Sequence, residues 1–265
     1  MAVADLVVVL LAVIAQQINY IYVFSDFLLT IPVCPLALVL RLAAMDCSVW
    51  MTVAFTFDRY VAICCQKLRK GYCTNRTAMV LILAVCAGSL AKCTPFYFVV
   101  HPERCIPSDE YLTSSAWRAH EIFDSIMTPL LPICLIMLFN VLTARHIIAA
   151  NKVRRKLRNS SENEKDAELE SRRKSIILLF AVSVNFILLW MPYVIHSVSW
   201  QTENYSYADK YFSTPKYILQ QFGYMLQMLS TCTNTCVYGL TQKKMREELK
   251  NGLKYLFTLN KRLCK

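Results

Sequence analysis

The 265-residue chain is 56% hydrophobic, holds only five glycines and carries a net charge of +11, with a mean hydropathy of +0.37. Its apolar residues come in blocks about as long as the roughly 20-residue helix that crosses a bilayer, and the blocks are apolar on every face, which excludes an ordinary soluble helical domain. The positive charge sits in short segments between the blocks, where it reports membrane topology and excludes nucleic acid as a partner.

The first predicted span covers residues 1–24; Asp5 stands where a signal peptide would carry basic residues, so a spanning helix is expected. The second covers residues 35–64. Its Arg41 and Asp46 are costly in lipid and are expected to face the bundle interior. A basic connection leads to the third span, residues 77–99. The fourth, residues 119–148, contains Pro129 and Pro132, which predict a kink or a loosened hydrogen-bond ladder. Residues 151–175 read as two basic helical extensions joined by a mobile acidic centre, Glu162 to Glu170. The fifth span, residues 176–200, contains Trp190-Met191-Pro192, and the sixth covers residues 215–240. The predicted architecture is all-α: a transmembrane bundle over residues 1–241, then an amphipathic juxtamembrane helix and short cytoplasmic tail over residues 242–265. In that tail Met245, Leu249, Leu253 and Leu256 recur at helical spacing among lysines.

Lys67, Arg69, Lys70 and Arg76, the basic residues from Lys152 to Lys174, and Lys243, Lys244 and Arg246 all fall on one side of this arrangement. By the positive-inside rule that side is cytoplasmic, and six spans place both termini there in a multi-pass cell-membrane protein. Of the three sequons, at Asn75, Asn159 and Asn204, only Asn204 then faces the glycosylating compartment. Most of the twelve cysteines, including Cys47, Cys86, Cys93, Cys134, Cys232 and Cys236, lie in apolar runs as small packing residues, whereas Cys34 and Cys105 are placed for a bridge. The four histidines are scattered, and no metal cluster, phosphate loop or nucleophile constellation points to an enzyme. Intramembrane charges at Asp5, Arg41, Asp46 and Asp124 would also suit a transporter or channel, but no internal repeat supports one.

Three stretches carry a family resemblance: Phe57-Asp58-Arg59-Tyr60-Val61-Ala62-Ile63-Cys64-Cys65-Gln66-Lys67-Leu68, Glu170-Ser171-Arg172-Arg173-Lys174-Ser175-Ile176, and Cys232-Thr233-Asn234-Thr235-Cys236-Val237-Tyr238. With these the chain resembles the rhodopsin-like, class A, G-protein-coupled receptors, and more closely the orphan receptors around probable G-protein coupled receptor 139. The resemblance covers essentially the whole chain. It matches the six spans to the family's second through seventh helices, with Val3-Ala4-Asp5-Leu6 in the place of the second-helix signature. The family's first helix and extracellular N-terminus are therefore expected to be missing, and the chain to be a piece of a longer one rather than a natural short form.

The resemblance implies roles residue by residue. Asp58-Arg59-Tyr60 would be the G-protein switch, Arg59 pairing with its neighbouring carboxylate at rest; the plainer reading is an arginine snorkelling at a helix end. Asn234 and Tyr238 would belong to the same switch, although Thr235 replaces the family's proline. The chain departs from the family's ionic lock: Arg172 and Arg173 stand where its acid is expected, with Glu168 and Glu170 earlier. Val49, Pro132, Phe186, Trp190 and Pro192 would form the activation relay. Cys34 and Cys105 would form the family's disulfide. Asp5, Ser48, Ser230, Asn234 and Trp190 would surround a sodium ion, the alternative being a protonated Asp5 bonded to Asn234. No other cofactor is implied. The third span lacks the tryptophan usual in the family, and Asn140 stands where many members have tyrosine.

At the family's amine-binding position stands Arg41, which disfavours a simple monoamine and favours a carboxylate. Glu121 and Asp124 would either pair with Arg41 internally or receive a ligand ammonium. Met45, Phe123, Thr128, Tyr193, His196, Gln220, Tyr224 and Met228 are the remaining candidate pocket residues. The implied function is conversion of extracellular binding of a peptide or amino-acid-like molecule into activation of a heterotrimeric G protein, alone or as a receptor dimer. A truncated, non-signalling form that pairs with complete receptors is the rival within the family. Cys264 is a candidate for palmitoylation.

Overall fold

The computed structural model describes residues 2–10, 33–100, 107–156, 165–202 and 215–241, with isolated tail positions 247, 251, 252 and 255; toward the ends of some helices it describes the backbone alone. The described residues form helices α1 (Ala2–Val8), α2 (Val33–Cys64), α3 (Gln66–Tyr72), α4 (Asn75–Cys93), α5 (Asp109–Thr113), α6 (Ser115–Ser125), α7 (Leu131–Lys156), α8 (Lys165–Thr202) and α9 (Pro215–Thr241). Among them four stretches are long and apolar enough to cross a membrane: Val33–Cys64, Asn75–Val99, Ser115–Ala150 and Phe180–Ser199. The sixth predicted span is helical as α9, but Gln220, Gln221, Gln227 and Asn234 make it more polar than the other four. Most of the first predicted span and the amphipathic tail helix lie outside the described residues.

The 32-residue α2 is the central stave. At 1.5 Å per residue it runs about 48 Å, longer than the roughly 30 Å hydrocarbon layer. It packs against α1, α4 and α7, while α9 packs against α8 and α1. The core lies where these meet: Val8, Met45, Val49, Val53, Ile133, Ile136, Phe186 and Trp190 form one buried cluster. Outward-facing Leu36, Met79, Leu83, Leu138, Val141, Leu188 and Met225 are exposed, the apolar jacket that a bilayer solvates.

Local chemistry sets the helix ends. Thr74 caps α4 by accepting from the Thr77 amide, and Ser108 caps α5 by accepting from Tyr111. Beyond Cys93 the chain tightens into a 3-10 segment, Thr94–Val99, with Pro95 near its start. α4 is held shallowly: Thr77, Leu81, Val85 and Cys86 are half-buried, and only Ser89 and Cys93 are fully buried.

The fourth predicted span is two helices joined by a wide turn, Ile126–Leu130, in which Thr128 leaves helical geometry (φ −147°, ψ 98°) beside Pro129. That break beside Pro129 is the loosened hydrogen-bond ladder, one of the two outcomes expected of the paired prolines. The acidic stretch also departs from expectation, since α8 begins at Lys165 and takes Glu168 and Glu170 into the helix. At Gly223 the backbones of α9 and α8 nearly touch: a Cβ there would lie 3.1 Å from the Tyr193 backbone. Pro192 removes a hydrogen bond from α8 at the same level.

Candidate functional site

With outer denoting the Cys34 end of α2 and inner its Arg59 end, the outer half of the bundle contains two adjoining cavities. The larger, of about 350 Å³, is lined by residues that include Phe96, Glu121, Asp124, Tyr193, His196, Gln220 and Tyr224. The smaller and deeper, of about 80 Å³, is lined by residues that include Arg41, Met45, Asp46, Lys92, Asp124, Thr128, Trp190 and Gln227. Asp124, Tyr193 and Tyr224 border both. Of the candidate pocket residues, Arg41, Met45 and Thr128 thus lie at the deep cavity, and Glu121, His196 and Gln220 at the upper one. Two others are elsewhere. Phe123 is 47% exposed and faces away from the bundle, and Met228 packs against the core cluster.

A lysine that the sequence reading passed over organises this region. Lys92, on α4, places Nζ 2.8 Å from Asp46 Oδ1, 2.8 Å from Asp124 Oδ1 and 2.7 Å from Thr128 Oγ1. An ammonium has three N–H donors, and here each finds an acceptor. The Thr128 hydroxyl in turn donates to Asp46. The break at Thr128 lets that hydroxyl turn inward, since a threonine in a regular helix bonds its own backbone instead, as Thr52 and Thr56 do. Four groups from α2, α4, α6 and the wide turn are thereby joined at one buried point. Asp46 is 3% exposed, as its predicted inward orientation requires.

Of the two alternatives for Glu121 and Asp124, the internal pair with Arg41 is not formed among the described residues. Asp124 is taken by Lys92, and Glu121 accepts from the Tyr111 hydroxyl. Arg41 instead borders the deep cavity beside Tyr193 and Tyr224, with no hydrogen-bond partner for Nε among the described residues. On the outer rim Tyr111 meets Trp117 edge-on, and His120 lies edge-on to both Trp117 and Phe96. Burial, with the Glu121 carboxylate beside it, pushes the Tyr111 phenol well above its ordinary pKa, so it remains a donor.

Beneath the cavities Trp190 sits 5.5 Å from the Phe186 ring, and Val49, Pro132 and Phe186 are all fully or almost fully buried. Next to α1, Ser48 Oγ donates to Asp5 Oδ1 at 2.5 Å, while Asp5 Oδ2, also buried, has no hydrogen-bond partner among the described residues. Ser230 is buried on α9, where Asn185 donates to Thr233 at 2.7 Å.

The inner end is built differently. Phe57 contacts Tyr72 edge-on at 5.4 Å and Phe139 at 5.1 Å, and Tyr60 stacks on Phe139 at 5.8 Å, tying α2, α3 and α7 together. Arg59 does not form the expected resting ion pair with Asp58. Its guanidinium lies over the Phe55 ring, 4.9 Å from the centroid, and Nε has no hydrogen-bond partner among the described residues. Asp58 instead faces the α3 side, where burial and its charge raise the Tyr72 phenol. Cys34 is disulfide-bonded to a partner outside the described residues. Cys105, Asn204 and Cys264 also lie outside them, as do the side chains of Glu168, Glu170, Arg172, Arg173, Asn234 and Tyr238.

Residues 1–238 match the model of the seven-transmembrane receptor (rhodopsin) family. The chain belongs to this family. Family membership makes it a multi-pass membrane protein, of a family of receptors rather than enzymes. It is 22% identical to the FMRFamide receptor of Drosophila melanogaster over 86% of this chain and 39% of that protein. It is 23% identical to the tachykinin-like peptides receptor 86C of the same organism over 75% and 40%, respectively. To the trace amine-associated receptor 13c of Danio rerio it is 26% identical, over 76% of this chain and 59% of the relative. The chain thus spans about two fifths to three fifths of the length of these curated relatives.

Within this rhodopsin-family frame the residue missed by sequence reasoning carried a signal. An ionisable side chain late in an apolar span marks a functional or structural site by default, because its cost in lipid must be offset by a partner. Lys92 meets that description as plainly as Arg41 does.

Proposed function

We propose that this chain is a G-protein-coupled receptor: a ligand entering from the outer side biases a two-state helical bundle, and the inner face activates a heterotrimeric G protein by binding one state better. The observation that carries the reading is the seating of the cavities on Trp190. This ring borders the deep cavity, rests against Phe186 and stands two residues before Pro192. A ligand that displaces Trp190 therefore acts on α8 next to its weakest hydrogen-bonded point. At the other end of the relay, Arg59 is held by a ring face rather than by a carboxylate, a weak contact to give up for a G-protein carbonyl.

In this reading the ligand is amino-acid-like or a short peptide, its carboxylate toward Arg41 and any ammonium toward Asp124 and Glu121. Two of the relatives are peptide receptors by name, which agrees with that class. The basic connections face the cytoplasm, as do both ends of the chain; Asn204 is glycosylated and Cys34 pairs with Cys105. The closer likeness to the orphan receptors around probable G-protein coupled receptor 139 belongs to the same reading. Asp5 fits an allosteric sodium ion, since its buried Oδ2 lacks a hydrogen-bond partner among the described residues and Ser48, Ser230 and Asn234 offer further oxygens. Bound there, the cation would neutralise a carboxylate that otherwise costs free energy in the bundle.

The test is G-protein activation in cells expressing the chain, with and without an added N-terminal transmembrane helix. Activity, basal or ligand-driven, that disappears in Arg59→Ala at unchanged surface expression is the expected result. Silence of both forms despite surface expression would move the chain to a non-signalling role.

A further inference from the structure

We propose that Lys92 sets the charge selectivity of the ligand cavity: it keeps the deep floor electrically balanced and polarised, so that the floor receives a dipolar group rather than a simple cation. The inference rests on the receptor reading and assigns a specificity role to a residue that borders the deep cavity.

Charges on the floor are few. Arg41 and Lys92 contribute two positive charges, Asp46 and Asp124 two negative ones, and all four border the deep cavity. Their placement is unequal. Both carboxylates are bound to Lys92, leaving one net negative charge at that clasp, while Arg41 stands beside Tyr193 and Tyr224 with its Nε unpartnered among the described residues. The floor is thus neutral as a whole but positive on the Arg41 side and negative on the Asp124 side. A ligand carrying both signs matches both sides, whereas a lone ammonium at Asp124 leaves Arg41 unmatched and loses part of its gain to repulsion from it.

Without Lys92 the same floor would hold two carboxylates against one arginine. In a cavity recessed within the bundle and screened little by salt, such an excess concentrates cations. Lys92 is therefore a positioning residue in two senses. Its charge fixes the sign of the floor, and its three hydrogen bonds hold Asp124 where it borders both cavities. An arginine would keep the charge, and a methionine would keep most of the shape.

The inference is tested without ligand or G protein, by the reaction rates of a thiol introduced as Tyr224→Cys, where the two cavities adjoin. Full-chain protein purified in detergent micelles is treated with anionic sulfonatoethyl methanethiosulfonate or cationic trimethylammonioethyl methanethiosulfonate. The disulfide formed at that position is followed by peptide mass spectrometry. Adding Lys92→Met is expected to shift the ratio of rates toward the cationic reagent by about tenfold or more. Lys92→Arg should leave the ratio near that of the parent. Asp124→Asn, which removes a negative charge, should shift it the opposite way, and this arm stands if Lys92→Met fails to fold. An unchanged ratio in a folded Lys92→Met protein, or an equal shift in Lys92→Arg, would overturn the assignment, as would no shift in Asp124→Asn. A negative result here counts against Lys92 alone, whereas silence in the Arg59→Ala comparison counts against the receptor reading.

Discussion

The outer half of the bundle and the inner end of α2 present opposite solutions to a buried charge. In the outer half Lys92 commits all three of its donors to Asp46, Asp124 and Thr128, fixing α2, α4, α6 and the wide turn to one another. At the inner end Arg59 lies on the Phe55 ring with no ion pair among the described residues, and the same end of α2 is tied to α7 by the contacts of Phe57 and Tyr60 with Phe139. Saturated ionic bonds are geometrically exacting and costly to break, whereas ring contacts are individually weak and tolerate rearrangement. The bundle is thus fixed by ions beside its cavities and by rings at its inner end.

Four measurements break or sharpen that contrast, all read as unfolding free energies or midpoints of purified receptor in micelles. The largest effect belongs to Lys92→Met, which strands two carboxylates and is expected to cost about 3–5 kcal/mol. Replacing Asp46 and Asp124 by asparagine in the same chain should return much of that loss; if it does not, shape rather than charge holds the outer end. Gly223→Val comes next, at about 1–3 kcal/mol, because backbone atoms at 3.1 Å cannot step aside as a side chain can. Phe139→Leu follows, expected to lose about 0.5–1.5 kcal/mol beyond its area for each ring contact removed. Smallest is Arg59→Ala, which forfeits one cation–π contact worth about 0.5–1 kcal/mol. A cost as large as that of Lys92→Met would mean that Arg59 is as firmly held as the outer clasp.

Much of the fold could be read from the chain because a bilayer imposes length and hydropathy on each helix separately. The spans, Pro192 and the inward orientation of Asp46 follow from one helix at a time. Partners do not. Whether Asp124 meets Arg41 or Lys92 depends on the relative rotation of α2, α4 and α6, which no single helix encodes. Phe123 was legible within its own span: it lies nine residues, two and a half turns, before the buried Pro132, so helical periodicity turns it outward, and it is exposed. At the inner end the Asp58-Arg59-Tyr60 stretch identifies the residues, but whether arginine chooses the carboxylate or the ring is decided by tertiary surroundings.

The shallow seating of α4 carries a mechanical consequence. Its fully buried residues, Ser89 and Cys93, and its ionic bolt, Lys92, all lie toward its outer end, while Asn75 and Arg76 at the other end are exposed. Pinned at one end, α4 is a lever about 27 Å long by its 19 residues. Swinging its free end gives up only the half-buried contacts of Thr77, Leu81, Val85 and Cys86, none of them fully buried. What restrains that end is the short bracket of α3, fastened by the edge of Tyr72 against Phe57. A partner protein that displaces this one ring would gain leverage on the whole stave and, through the pivot at Lys92, on the wall of the cavity.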